Sequence, residues 1–222
     1  VEIPFESKLI DPPIKIGYTK ETLGEPMHPA IDKALDNAIE ALKDAGYILE
    51  EVALPNFQDA SNFSAKTLFG ELKALHEKDY KNLGSDNFNT IADNCFELIS
   101  PFEGEDLLLG MAKRSYFFRE WNLFFRQYPL VLTPFLLYPT YKWNRDTEGL
   151  EGTKEVLAGM FYAHTMNYIG IPAGVVSANY NDGLPIGVQL ISSRFREDII
   201  LNACEEIEKR VGVMAEKLFE RG

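Results

Sequence analysis

Residues Ile14 to Tyr18, which follow two prolines, read as a short strand. Beyond it, Ile31, Leu35, Ala38, Ile39 and Leu42 recur at helical spacing. That apolar stripe predicts a helix opening at His28-Pro29, where proline suits the first turn, and ending at Gly46. Tyr47 to Leu54 predicts the next strand, and Pro55 stops it. Strand, helix, strand in this order predicts an α/β layer with a parallel pair.

The pattern then turns helical from Phe57 to Tyr80, with Leu68, Leu72 and Leu75 in phase. Residues 81–104 are less regular and are punctuated by Gly84, Pro101 and Gly104. Glu105 to Phe125 is apolar on most sides, which predicts a long and largely buried helix. Tyr128 to Phe135 predicts a short strand, followed by a long loop. Val156, Leu157, Met160, Phe161 and His164 share the face of one expected helix. Ala173–Ala178 and Pro185–Ile191 predict a β-hairpin turning at Asp182-Gly183. A final helix places Ile200, Ala203, Cys204, Ile207 and Val211 together. The expected fold is therefore α/β, a mixed β-sheet covered by helices.

Composition narrows the function classes. The chain has 222 residues and a net charge of −12. That charge argues against nucleic acid as the main partner, since phosphate binding needs a basic face, and against an anionic membrane surface. No apolar run is long enough to span a bilayer. Two distant cysteines, Cys95 and Cys204, argue against a disulfide framework and make the cytoplasm the default compartment.

Candidate chemistry within the chain is sparse. His28, His76 and His164 stand alone, without metal-ligand spacing, so no metal or other cofactor is expected. There is no Gly-x-Ser-x-Gly elbow and no phosphate-binding glycine loop. Ser192-Ser193 reads as a solvated turn after an apolar strand. Cys95 with His164 could form a thiolate pair, although two core residues explain them more simply. Eleven aromatic residues lie between Tyr116 and Trp143, both tryptophans among them. Most suit a core or a contact surface, and the loop members from Phe135 to Trp143 suit a ligand pocket better.

Four segments, in order, resemble the amidase signature family of amide hydrolases. They are Ala41–Tyr47 with Glu51–Pro55; Leu130-Val131-Leu132-Thr133-Pro134; Asn167-Tyr168-Ile169-Gly170-Ile171-Pro172-Ala173; and Gly183–Ile191 with Phe195, Glu197 and Asp198. Val176-Ser177-Ala178 departs from the family's usual Val-Pro and glycine, and Ser192 replaces a glycine. The family's catalytic Ser, cis-peptide Ser and Lys belong to its N-terminal half, and neither of their motifs is in this chain. The resemblance therefore implies the C-terminal part of a larger single domain over residues 1–222, with residues 1–13 as a linker or extended lead-in. No residue here is expected to be catalytic.

By the same resemblance, Thr133, Phe135, Tyr138, Phe161 and Asn167 would line the pocket for the substrate's acyl group. Gln189 would support the catalytic loop through its buried amide. The implied partners are a small-molecule amide substrate and the missing N-terminal half, and the isolated chain is expected to be inactive. A sheet cut from its domain would leave a strand edge unpaired, which predicts self-association. Two other readings stand beside this one. The chain could be a non-catalytic binding or assembly protein that keeps the family's C-terminal layer, or an unrelated α/β hydrolase using Cys95 or a serine.

Overall fold

A computed structural model describes residues 13–219 of the chain, and they form two compact units. The lead-in expected over residues 1–13 lies, apart from Pro13, outside the described residues. The first unit comprises residues up to Pro55, Arg119–Thr140 and those from Gly170 onward. It holds a five-stranded sheet built from β1 (Lys15–Tyr18), β2 (Ile48–Glu51), β3 (Leu130–Pro134), β4 (Ala173–Asn181) and β5 (Leu184–Ser192). Their order across the sheet is β2-β1-β3-β5-β4. The first three strands are parallel, and β5 and β4 continue the sheet antiparallel, so the expected mixed sheet and its parallel pair are present.

Helices α1 (Pro29–Asp44) and α7 (Glu197–Val211) complete the core of this unit. Ala34, Leu35, Ala38 and Leu42 of α1 and Ala203 and Ile207 of α7 are fully buried with Ile16, Leu130, Leu132, Val188 and Leu190 of the sheet. The alanines keep α1 slim enough to lie close to the strands. Two asparagines fix its register: Asn37 Nδ2 donates to Ala178 C=O at 2.9 Å, and Asn179 Nδ2 donates to Ala30 C=O at 3.0 Å. At the start of α1, His28 Nδ1 accepts from Ala30 N–H, which satisfies one orphan donor of the first turn.

The hairpin turns at Asp182 and Gly183, both with positive φ (48° and 82°). Two successive left-handed residues match the twist of a two-residue hairpin, and Asp-Gly accepts that backbone at low cost. One extra residue on β4, between Ser177 and Asn179, bulges the strand where the family's Val-Pro is replaced. A short helix not expected from the pattern, α8 (Met214–Phe219), follows α7.

The second unit, Asn56–Phe118 and Tyr141–Ile169, is helical. It contains α2 (Phe57–Leu83), α3 (Asp86–Ile99), α5 (Gly149–Ala158), α6 (Phe161–Ile169) and most of α4 (Gly104–Phe124). Three expectations are corrected here. The irregular stretch 81–104 contains α3, whose N-cap Ser85 accepts from Phe88 N–H at 3.2 Å. Its buried residues, Ala92 and Cys95, are small and few, so the apolar period is weak. The single helix over Val156–His164 is two helices, divided at Gly159 and Met160. Finally, α4 is not largely buried: Leu108 is 67% exposed, and Leu109, Met111 and Tyr116 are exposed with it. Its apolar residues are spread around the axis, so no single packed face covers them all.

Close approaches fix the helical unit. A Cβ on Gly70 would collide with the backbone carbonyl of Phe102, whose N–H in turn donates to Lys66 C=O at 3.1 Å. Phe57 stacks on Tyr162 with ring centroids 4.8 Å apart, and Phe63 meets Phe102 edge-on at 5.3 Å. Such pairs add about 0.5–1.5 kcal/mol each beyond their buried area.

Candidate functional site

Strand β3 is buried at all five positions, which explains its unbroken apolar run. Proline ends it, and the chain turns into the loop Phe135–Thr140. Two backbone-directed links hold this loop in place. Thr133 Oγ1 donates to Pro134 C=O at 2.8 Å, and His28 N–H donates to Leu137 C=O at 2.9 Å. Leu137 is fully buried and pins the middle of the loop, leaving Phe135 and Tyr138 partly exposed on either side.

These two aromatics line a cavity of about 240 Å³. Leu136, Pro139, Val175 and Ile186 complete its apolar wall, and Ser177 adds a hydroxyl. An apolar cavity of ~150 Å³ accepts a benzene ring. The space beside β3 therefore suits an aryl or branched alkyl group. Sequence alone does not single out Val175, Pro185 and Ile186 as pocket residues. Their signal is the strand alternation of the hairpin, which does not reveal that an earlier loop covers the same patch.

Thr133 and Gln189 do not line this cavity. They lie directly opposite each other on β3 and β5, both buried. Gln189 Nε2 donates to Thr133 Oγ1 at 3.3 Å, and that hydroxyl in turn donates to Pro134 C=O. A chain of hydrogen bonds thus runs from the sheet interior to the peptide that starts the loop. Gln189 is 2% exposed, so it is not a solvent-facing sheet residue.

Phe161 and Asn167 belong to the helical unit. Phe161 is buried beside Phe57 and Tyr162, whereas Asn167 is exposed. In the same helix, His164 is engaged with Ser64 of α2. The Ser64 hydroxyl donates to His164 C=O at 2.8 Å, so the 2.9 Å contact to Nδ1 requires the ring nitrogen to be the donor. Burial holds the imidazole at about 4, well below its usual range, and the ring is neutral.

The other candidate nucleophiles lack activation. Burial pushes the Cys95 thiol up to about 11, so almost no thiolate exists at neutral pH. Cys95 and Cys204 are both free. Ser192 is not in a solvated turn: it is fully buried and donates to Pro129 C=O at 2.7 Å, a structural bond tying β5 to the entry of β3. Trp143, the last of the aromatic cluster, is 91% exposed and lies outside the wall of the cavity beside β3.

A larger open groove of about 1120 Å³ runs past Lys20, Asp36, Asp44 and Arg210. Along it Lys20 is paired with Asp32 and Asp36, and Arg210 with Asp44 and Glu206. No helix among the described residues is long and apolar enough to cross a membrane.

Several known proteins are similar to this chain. Indoleacetamide hydrolase of Bradyrhizobium japonicum is 31% identical over 209 residues, covering 94% of this chain but 45% of its own length. Among solved structures, a 6-aminohexanoate cyclic dimer hydrolase superposes on 92% of the chain with a TM-score of 0.70, at 18% identity and 47% of its own length. Allophanate hydrolase of Kluyveromyces lactis superposes on 89% of the chain with a TM-score of 0.68, at 16% identity and 32% of its own length. The chain thus spans less than half the length of these relatives. The Amidase family model matches residues 2–201, through all five strands and into α7, and by that match this chain belongs to the amidase family.

Proposed function

We propose that residues 1–222 are the C-terminal part of a larger amidase signature domain whose complete form hydrolyses a small carboxamide. In that reading a serine outside this chain attacks the amide carbon and ammonia or an amine leaves. Water then attacks the acyl-enzyme and releases the acid. This chain contributes the wall that receives the acyl group, and it has no turnover by itself. The observation that carries the reading is the apolar cavity formed by Phe135 and Tyr138, in the segment to which the resemblance assigns acyl binding. Thr133 and Gln189 act as positioning residues, holding the start of that loop. Phe161 and Asn167 come to a substrate-lining role by resemblance alone.

The cavity's size and the likeness to an indoleacetamide hydrolase favour amides with a flat aromatic acyl group. The test is ammonia release from indoleacetamide and from acetamide by a complete enzyme carrying this chain. Faster turnover of the aromatic amide is expected, reduced at least tenfold in kcat/KM by Phe135→Ala or Tyr138→Ala. Equal turnover of the two amides, unchanged in both variants, overturns the assignment. Ammonia release by the 222-residue chain alone overturns the inactivity.

A second reading is favoured by the exposed Leu108, Leu109 and Met111 of α4: a non-catalytic assembly protein that uses this helix as a contact surface. Binding of a hydrophobic dye that is lost when these three residues are replaced by glutamine would support it. Amide turnover by the complete protein would exclude it.

A further inference from the structure

Ser177 is the one polar side chain that the β4–β5 hairpin contributes to the cavity beside β3. It lies in the stretch that departs from the family's usual Val-Pro and glycine, so its hydroxyl stands outside that pattern. Val176 turns into the core with α1 and α7, and strand alternation turns Ser177 to the other face. The Ser177 hydroxyl has no hydrogen-bond partner among the described residues.

Two features keep this hydroxyl open and fixed. Gly187 stands opposite Ser177 in the β4–β5 register, so no side chain fills the space across the ladder. A Cβ on Gly187 would crowd Val175 Cγ1 at 2.8 Å. The bulge of β4 comes at the next residue, Ala178, whose C=O accepts from Asn37 of α1, and Asn179 bonds back to Ala30 of the same helix. Ser177 is therefore carried on backbone anchored to a helix, as a selective contact requires.

We infer that Ser177 makes this cavity select aromatic acyl groups that carry a neutral hydrogen-bonding substituent on the ring. The inference rests on the reading of the cavity as the acyl pocket of an amidase. The cavity, at about 240 Å³, exceeds the ~150 Å³ that holds a benzene ring, so a ring with a small substituent fits. A bare ring covers the Ser177 hydroxyl, strips its water and leaves it unpaired. A ring hydroxyl restores the lost bond, because the serine oxygen both donates and accepts. The substituent must be neutral. No charged side chain among the described residues lines the cavity, so a carboxylate or ammonium there would lose its water without gaining a counterion.

The test compares phenylacetamide with its ortho, meta and para hydroxy derivatives as substrates of a complete enzyme carrying this chain. Binding of the four corresponding acids is measured on the same enzyme by calorimetry. At least one hydroxy isomer should exceed phenylacetamide about tenfold in kcat/KM, and its acid should bind about tenfold more tightly than phenylacetic acid. Ser177→Ala should make the four compounds equal in both measurements. Ser177→Thr, which keeps a hydroxyl, should retain the preference. The para-carboxy amide should fall about tenfold below phenylacetamide, since no cation meets it. Equal behaviour across the neutral series, or a preference that survives in Ser177→Ala, overturns the inference. A para-carboxy amide preferred to every hydroxy isomer overturns the neutral class. Turnover without a hydroxy preference sinks the Ser177 assignment and leaves the hydrolase reading standing. A binding preference lost in Ser177→Ala, with no turnover of any amide, does the reverse.

Discussion

Gln189 Nε2 donates to Thr133 Oγ1 at 3.3 Å across the antiparallel pairing of β3 and β5, and the threonine hydroxyl donates onward to Pro134 C=O. The two side chains are buried in a sheet whose neighbours are apolar, so each polar atom depends on the other. Thr133→Val keeps the shape and deletes the link, leaving the Gln189 amide without this acceptor. A loss of about 1–3 kcal/mol is expected from urea denaturation. Gln189→Leu in the same background should add much less than it costs alone. Additive losses would show that the pair is not coupled.

His164 makes stability depend on acid. Its folded value is about 4 against an ordinary value of 6.5. The unfolded chain therefore takes up a proton before the folded one does. The stability is fully present above pH 6.5, falls as pH drops from 6.5 to 4, and levels off below that. The full span is roughly 3 kcal/mol. Denaturation midpoints at pH 7, 5.5 and 4.5 measure the slope, and His164→Gln should flatten it. An equally steep slope in that variant would assign the acid sensitivity to other groups.

Both thiols should be inert in the native chain. Burial raises Cys95 and Cys204 to about 11, and Asp146 and Glu208 add to the effect in turn. Alkylation by iodoacetamide at pH 8 is expected to be at least 100-fold slower than in denaturant, with mass spectrometry locating the label. Rapid labelling of Cys95 in the folded chain would restore it as a candidate nucleophile.

The hairpin turn should be intolerant at one position and tolerant at its neighbour. Gly183 has φ +82°, where a Cβ costs about 1–2 kcal/mol, so Gly183→Ala should lower the melting temperature by several degrees. Asp182→Gly, at φ +48°, should change it little. Equal effects would mean that the turn relaxes to another type.

Substitution at Gly70 should report on the helical unit alone. A Cβ there meets the Phe102 backbone, which cannot rotate away as a side chain could. Gly70→Ala is therefore expected to cost about 1–3 kcal/mol despite the helix preference of alanine. Unchanged or increased stability would show that the Phe102 segment moves freely.

Strong periodicity carries much of this fold without help from distant residues. The α1 stripe, the buried run of β3, the Asp182-Gly183 hairpin and the α7 stripe each hold their geometry in local spacing. The four family-like segments are legible for the same reason, because each is contiguous in the chain. The rest waits on folding, where the cause is a partner far along the chain. Only the fold puts Thr133 opposite Gln189, 56 residues away, or brings Val175 to the loop of Phe135 and Tyr138. The burial of Ser192 depends on a carbonyl from Pro129, and that of His164 on a serine 100 residues earlier in the chain. The exposure of Leu108, Leu109 and Met111 on α4 could not be read locally either. A side chain's environment is set by what packs against it, and hydrophobic spacing records only that something should.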